Sequence, residues 1–224
     1  MSKIKFYDFA ESVKITEMHK GPKEFKDFSE KEIKFLKRNI REDSVILDAG
    51  CGYGKYIKIL SRKARKAIGI DSSALMIEKA EKYLINTKDT EVFLADAEKM
   101  PFESNCFDFV ICTTNTFGNF LNQRNVLKEM KRVLKPEGKM FFGVFSDKAA
   151  ALQLEYYRKN NFQISKITKN AIHLFPDLKS ERFSKQKLAK IFKSENLDAK
   201  IFNLNNISFE CIIEKNRGVS YGKE

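Results

Sequence analysis

Short apolar runs that stop at an acid or a glycine alternate, along this chain, with stretches whose apolar residues recur every three or four positions. The first run, Ser44-Val45-Ile46-Leu47-Asp48-Ala49, is cut off by glycines and is too short for a core helix, so it predicts a buried strand. Tyr53, Ile57, Leu60 and Ala64 then keep helical spacing, which predicts a helix opening as the glycine turn closes. Lys66-Ala67-Ile68-Gly69-Ile70 ends at Asp71, and Leu75, Met76, Ala80, Tyr83 and Leu84 follow on a helix that Ser72 or Ser73 would cap. Glu91-Val92-Phe93-Leu94-Ala95 ends at Asp96, and Phe107-Asp108-Phe109-Val110-Ile111-Cys112 ends in the polar cluster Thr113-Thr114-Asn115. A helix carrying Leu127, Met130, Val133 and Leu134 stops at Lys135-Pro136-Glu137-Gly138, which reads as a turn ahead of a strand from Met140 to Phe145.

Strand and helix taking turns with short connections implies a parallel sheet with helices on both faces, because parallel neighbours need crossover connections. Ligands of such sheets sit at the carboxyl ends of the strands, which is where Asp48, Asp71, Asp96 and Thr113 to Asn115 fall. Ahead of this core, Phe25, Phe28, Phe35, Leu36 and Ile40 mark an amphipathic helix. Beyond Ser146 the pattern changes to a helix from Leu152 to Phe162, extended runs at 163–167 and 171–175, and a helix from Ser184 to Lys193. The chain then closes with two extended runs separated by Asn203-Leu204-Asn205-Asn206, a hairpin signal.

A chain of 224 residues, 42% hydrophobic, suffices for one sizeable domain. It holds no apolar run of about eighteen residues and starts with a polar segment, which excludes a membrane span or secretory signal and predicts a cytoplasmic protein. Cys51, Cys106, Cys112 and Cys211 are scattered, and His19 and His173 are the only histidines, so reduced thiols and no metal site are expected. The formal charge of +12 would draw polyanions, although the basic residues are spread along helices rather than gathered in a tail.

The chemistry concentrates at Asp48-Ala49-Gly50-Cys51-Gly52-Tyr53-Gly54. Gly50 and Gly52 allow a tight turn and close approach of a ligand at the start of a helix, and Asp71 ends the next strand about twenty residues on, where a carboxylate can accept ribose hydroxyls. A dinucleotide fingerprint would need its third glycine one place later, where Lys55 stands. The register therefore favours a sulfonium nucleoside over a pyrophosphate.

With Gly69-Ile70-Asp71-Ser72-Ser73, Ala95-Asp96-Ala97-Glu98-Lys99-Met100-Pro101-Phe102, Phe107-Asp108-Phe109-Val110 and Arg132-Val133-Leu134-Lys135-Pro136-Glu137-Gly138, the chain resembles the class I S-adenosylmethionine-dependent methyltransferases of small-molecule type. The resemblance implies a Rossmann-like, seven-stranded, mostly parallel sheet whose last strand is antiparallel, with a small cap insertion. It divides a single domain into a lid and helix (1–40), a cofactor-binding core (41–146), a cap (147–183) and a closing helix and hairpin (184–215). It implies S-adenosylmethionine as cofactor, with Asp48, Gly50, Cys51 and Gly52 at its methionine part and Asp71 and Ser72 at the ribose. Asp96 and Ala97 would hold the adenine, and Thr113 would lie by the sulfonium. Tyr7, His19, Thr114, Asn115, Phe117 and Asn119 are the candidates for acceptor contacts, and Asp108, ahead of its strand, is structural.

Transfer from a sulfonium is an in-line displacement that needs orientation and exclusion of water more than a strong base. His173, His19 and the region of Asn115 are the candidate bases for an N or O acceptor, with His173 named as the catalytic residue. The expected activity is methylation of a small molecule. An RNA methyltransferase, suggested by the charge and by Lys58, Arg62, Lys63, Arg65 and Lys66, and a non-catalytic cofactor-binding regulator are the alternatives.

Overall fold

The computed structural model describes Phe6, Lys14 and residues 17–215. Helix α1 (Lys23–Asn39) leads into β1 (Val45–Ala49), α2 (Lys55–Leu60), β2 (Lys66–Asp71), α3 (Ala74–Leu84), β3 (Thr90–Leu94) and β4 (Phe107–Cys112). Next come the single-turn α4 (Thr116–Asn119), α5 (Gln123–Val133) and β5 (Leu134–Phe145). The expected seven-stranded sheet forms in the order β3-β2-β1-β4-β5-β10-β9, where β9 (Ala199–Asn205) and β10 (Ser208–Glu214) close the chain. The first five strands run parallel, and β10 is antiparallel to both β5 and β9.

Alternation along each strand sends side chains to opposite faces. Leu47, Val110, Cys112, Met140 and Phe142 share one core with Val126, Leu127 and Met130 of α5 and with Leu188 and Phe192 of α7 (Lys185–Lys193). Ile46, Phe109, Ile111 and Phe141 point the other way, onto Leu36 of α1 and Tyr56 and Leu60 of α2. Ser73 caps α3 by accepting from the Met76 N–H at 3.3 Å.

Two connections differ from the sequence reading. Lys135-Pro136-Glu137-Gly138 does not precede the strand but bulges within it: Phe107 pairs with Leu134 and Phe109 with Lys139, so the intervening β5 residues loop out. Glu137 takes a φ of +63° there, and the bulge is tied to the residue after β10 by Glu137 N–H to Lys215 O and Lys215 N–H to Gly138 O, both 2.9 Å. In the closing hairpin β9 continues through Asn205, and the turn falls at Asn206-Ile207. Asn205 Oδ1 fixes it by accepting from Ile207 N–H (3.0 Å) and Ser208 Oγ (2.7 Å).

Between β5 and α7 the chain makes an excursion through α6 (Ala150–Lys159) and an antiparallel sheet of β6 (Ile164–Ile167), β7 (Ala171–Leu174) and β8 (Leu178–Glu181). It leaves and returns at adjacent points, since Phe183 N–H donates to Phe145 O (2.9 Å) and Asp147 N–H to Phe183 O (3.2 Å). Tyr156, Tyr157, Phe162, Ile172, Leu174 and Leu178 give this excursion its own apolar cluster, joined to the body by Phe25 and Phe28 of α1 and Phe145 of β5.

Candidate functional site

A cavity of about 290 Å³ opens at the carboxyl ends of β1 to β4. Its rear wall is the loop after β1, where Gly50, Gly52 and Gly54 all take positive φ (81°, 54° and 83°). The Gly50 and Cys51 N–H groups both donate to Ile70 O, at 2.8 and 2.9 Å, which folds the loop back over the end of β2. A side chain at Gly50 would meet Thr116 Cγ2 at 2.4 Å, so the loop and α4 approach as closely as bare backbone permits.

Asp71 is held from two sides: Oδ2 accepts from Gly52 N–H and Oδ1 from Ser73 N–H, each at 2.9 Å. These bonds fix the carboxylate on the cavity wall. Exposed Asp96 also lines the cavity, its Oδ1 accepting from Glu98 N–H at 2.8 Å in the turn after β3. Cys51, Ser72, Ala97 and Thr113 complete this wall together with Ile70 and Ala95. Burial holds the Cys51 thiol well above its ordinary value, with Asp48 and Asp71 adding to the effect, so Cys51 is a neutral packing group.

Asp48 stands behind this wall rather than on it. It is buried, and neither carboxylate oxygen makes a hydrogen bond to a described residue. Desolvation, then the charges of Glu32 and Asp71, push its pKa well up.

Of the candidate acceptor contacts, His19, Thr114 and Asn119 line the cavity. Asn115 and Phe117 do not. Asn115 is buried as a clamp, its Oδ1 accepting from Phe145 N–H (2.9 Å) and its Nδ2 donating to Ser180 Oγ of β8 (3.5 Å). These bonds, with Asn115 N–H to Gly143 O at 2.7 Å, hold Thr114 and Asn115 in the left-handed region, at φ 52° and 63°. The Phe117 ring packs on Phe142, Phe183 and Phe192 in the core. His173 lies on β7 and is absent from the cavity wall. Its neighbours Ile172 and Leu174 fill the cap core, so strand alternation turns His173 to the other side. Tyr7 lies outside the described residues.

Groups beyond the six candidate acceptor contacts also line the cavity. Asp177 and Leu178 reach it from the β7–β8 turn, where Asp177 Oδ1 accepts from Phe6 N–H at 2.8 Å. Phe120 and Leu121 come from the loop after α4, and Lys55 and Tyr56 from α2. Lys55 Nζ donates to Ser29 Oγ at 2.6 Å, and desolvation draws its pKa down to about 8. The Tyr56 hydroxyl donates to Glu32, a wholly buried carboxylate on α1 that also accepts from Thr114 N–H at 3.0 Å. Glu32 carried a readable signal: it sits one turn from both Phe28 and Leu36, inside the apolar stripe of α1.

A glycine turn between a buried strand and a helix, followed by carboxylates at the next two strand ends, places the chain among α/β proteins of Rossmann type. Residues 47–142 match the family described as Methyltransferase domain. A demethylmenaquinone methyltransferase of Thermotoga maritima is 41% identical over 97 residues, which cover 42% of this chain and 41% of that protein. The PH0226 protein of Pyrococcus horikoshii has the same fold, with a TM-score of 0.74 at 22% identity, over 93% of this chain and all (100%) of that one. A SAM-dependent methyltransferase from Aquifex aeolicus matches with a TM-score of 0.68 at 19% identity over 92% and 99% of the two chains. Residues 47–142 are therefore similar to a methyltransferase domain, set in a fold shared with solved methyltransferase structures. It spans only part of the curated relatives it matches, from 41% to 62% of their length among the first three.

Proposed function

We propose that the protein transfers a methyl group from S-adenosylmethionine to a small molecule bound in the outer half of the cavity. The observation that carries this reading is the pair of carboxylates, Asp71 and Asp96, at successive strand ends on the wall of one cavity with the Gly50–Gly52 turn. In this reading Asp71 and Ser72 hold the ribose, Asp96 and Ala97 the adenine, and Gly50, Cys51 and Gly52 the amino-acid part, with the Asp48 carboxylate behind them. Thr113 borders the sulfonium end. The cofactor fits what is present: the Gly50 turn leaves no room for a Cβ, and the Asp71 carboxylate is held on the cavity wall by two backbone N–H groups.

S-adenosylmethionine supplies the electrophilic methyl group, and the leaving sulfur becomes neutral in the transfer. The residues of the chain then have to orient the acceptor and keep water out. Phe6, Phe120, Leu121 and Leu178 offer an apolar surface for the acceptor, and His19, Thr114, Asn119 and Asp177 offer polar contacts. A flat, partly apolar acceptor suits this lining, and the named activity of the Thermotoga relative, on demethylmenaquinone, agrees with it. That match covers only 42% of this chain, so the acceptor is argued from the cavity. An N or O nucleophile on such a molecule is the expected methyl acceptor.

Calorimetry with S-adenosylmethionine, S-adenosylhomocysteine and NADH tests the reading. Both adenosyl ligands are expected to bind and Asp71→Ala to weaken them by about ten- to a hundredfold, the worth of hydrogen bonds to a charged group. Binding of NADH with no affinity for either adenosyl ligand would overturn it.

A further inference from the structure

Three carboxylates that the cofactor reading leaves almost without work meet behind the cavity wall. On β1, β5 and β10 the residues Asp48, Gly143 and Glu210 share the strand parity of Ile46, Phe141 and Ile212, which pack on the α1 side of the sheet. Glu32 comes down onto that same spot from α1. A Cβ built on Gly143 would lie 1.6 Å from Glu32 Oε1, and Glu210 is paired directly across from Gly143. Glu210 is as buried as Asp48, and both its oxygens likewise lack a hydrogen bond to any described residue. Only Glu32 is partnered, and its partners, Tyr56 and Thr114, are themselves part of the cavity wall. One residue thus separates the carboxylate cluster from whatever the cavity holds.

We propose that Glu32, backed by Asp48 and Glu210, is a specificity-determining residue that makes affinity for the positively charged methyl donor rise with pH while affinity for its neutral thioether product stays nearly level. The proposal rests on the cofactor reading above. A cation brought near a buried carboxylate favours the ionised form, so binding expels a proton from the cluster to solvent. The methyl donor and its product share the same ammonium and carboxylate and differ by the charge on sulfur. Comparing the two isolates that charge.

The groups facing Glu32 set where the proton leaves. Burial raises its pKa to about 7, against the lowering pull of the Tyr56 hydroxyl, the Thr114 N–H and the Lys55 ammonium. From the sheet side, Asp48 and Glu210 are both pushed up by burial and by the charge of Glu32. Buried Cys112 on β4 is also pushed well up and stays neutral. Lys55, at about 8, releases its own proton in a higher range, and because the charge of Glu32 helps to hold that value up, Glu32→Gln draws it lower.

Calorimetry of S-adenosylmethionine and S-adenosylhomocysteine, in pairs of buffers with different ionisation heats between pH 6 and 8, counts the protons directly. The methyl donor is expected to release more protons than the product, and its affinity to rise with pH by up to about tenfold per unit for one coupled proton. Glu32→Gln should erase that difference near neutral pH. Should Glu32→Gln fail to give a cooperative melt, Tyr56→Phe decides: losing a donor that favours the carboxylate should keep the difference and move it to higher pH. Equal proton counts for both ligands, or a difference that neither substitution moves, would overturn the proposal. Failure of both ligands to bind would instead remove the cofactor reading beneath it.

Discussion

Glu32 occupies a place that a glutamate takes at a cost, fully buried on the apolar stripe of α1 with neighbours that are themselves acids. Its pKa stands at about 7 in the folded chain against an ordinary 4.5. A raised folded value means that the contribution of Glu32 to stability is intact below pH 4.5 and is lost as pH rises to about 7, a difference of about 3 kcal/mol. Urea unfolding of wild type and Glu32→Gln at pH 4.5 and pH 8 should therefore show the gap between them narrowing by that amount in favour of the variant. A gap that ignores pH would contradict it. The acids and glycines of the cavity wall were legible in the sequence because each follows an apolar strand, and strand ends are where such sheets bind. Asn115 and Phe117 misled for a physical reason. A polar and aromatic segment after β4 looks like a mouth, yet the amide serves two buried backbone and hydroxyl partners and the ring fills the core. Glu32 follows no strand, and its signal was its place in the apolar stripe of α1, one turn from Phe28 and Leu36.

Helix α1 and strand β5 are fitted to one another through a missing side chain. Gly143 leaves the space into which Glu32 reaches, and Gly143→Ala must either displace that carboxylate or bend the strand. Overpacking of this kind costs about 1–3 kcal/mol. If the contact is the cause, Glu32→Ala should recover most of the loss, so a double-mutant cycle by chemical denaturation should be strongly non-additive; additive effects would disprove the fit. At this scale the alternation of strands and helices was readable throughout, whereas the joints were not. Pro136 and Gly138 read as a turn, but the pairing of β4 with both ends of the bulge absorbs them into β5. What the cap adds to the cavity was illegible for the same reason. Asp177 and Leu178 come to it from a turn more than a hundred residues beyond the glycine loop, placed only by how the small sheet docks.

Taken whole, the molecule carries a net charge of +12, and Lys58, Arg62, Lys63 and Arg65 lie close together along the chain after the glycine loop. Lys63 Nζ donates to Lys37 O and Arg65 Nε to Asp43 O, so part of this charge fastens α1 to the start of the sheet. For a small-molecule enzyme, RNA should bind only through counterion release, with dissociation constants on the order of 10⁻⁴ to 10⁻⁶ M and a steep loss with added salt. Submicromolar, salt-tolerant binding of one RNA in a filter assay would redirect the search for the acceptor. No helix among the described residues is long and apolar enough to cross a membrane.

The excursion between Phe145 and Phe183 begins and ends at hydrogen-bonded neighbours and brings a packed interior of its own. A segment attached through adjoining points transmits little strain to its host, so descendants of this chain could lengthen, shorten or replace it without disturbing how the seven strands line up. Under the proposed function, such an arrangement would let the choice of methyl acceptor drift on one time scale while the grip on the donor is preserved on another.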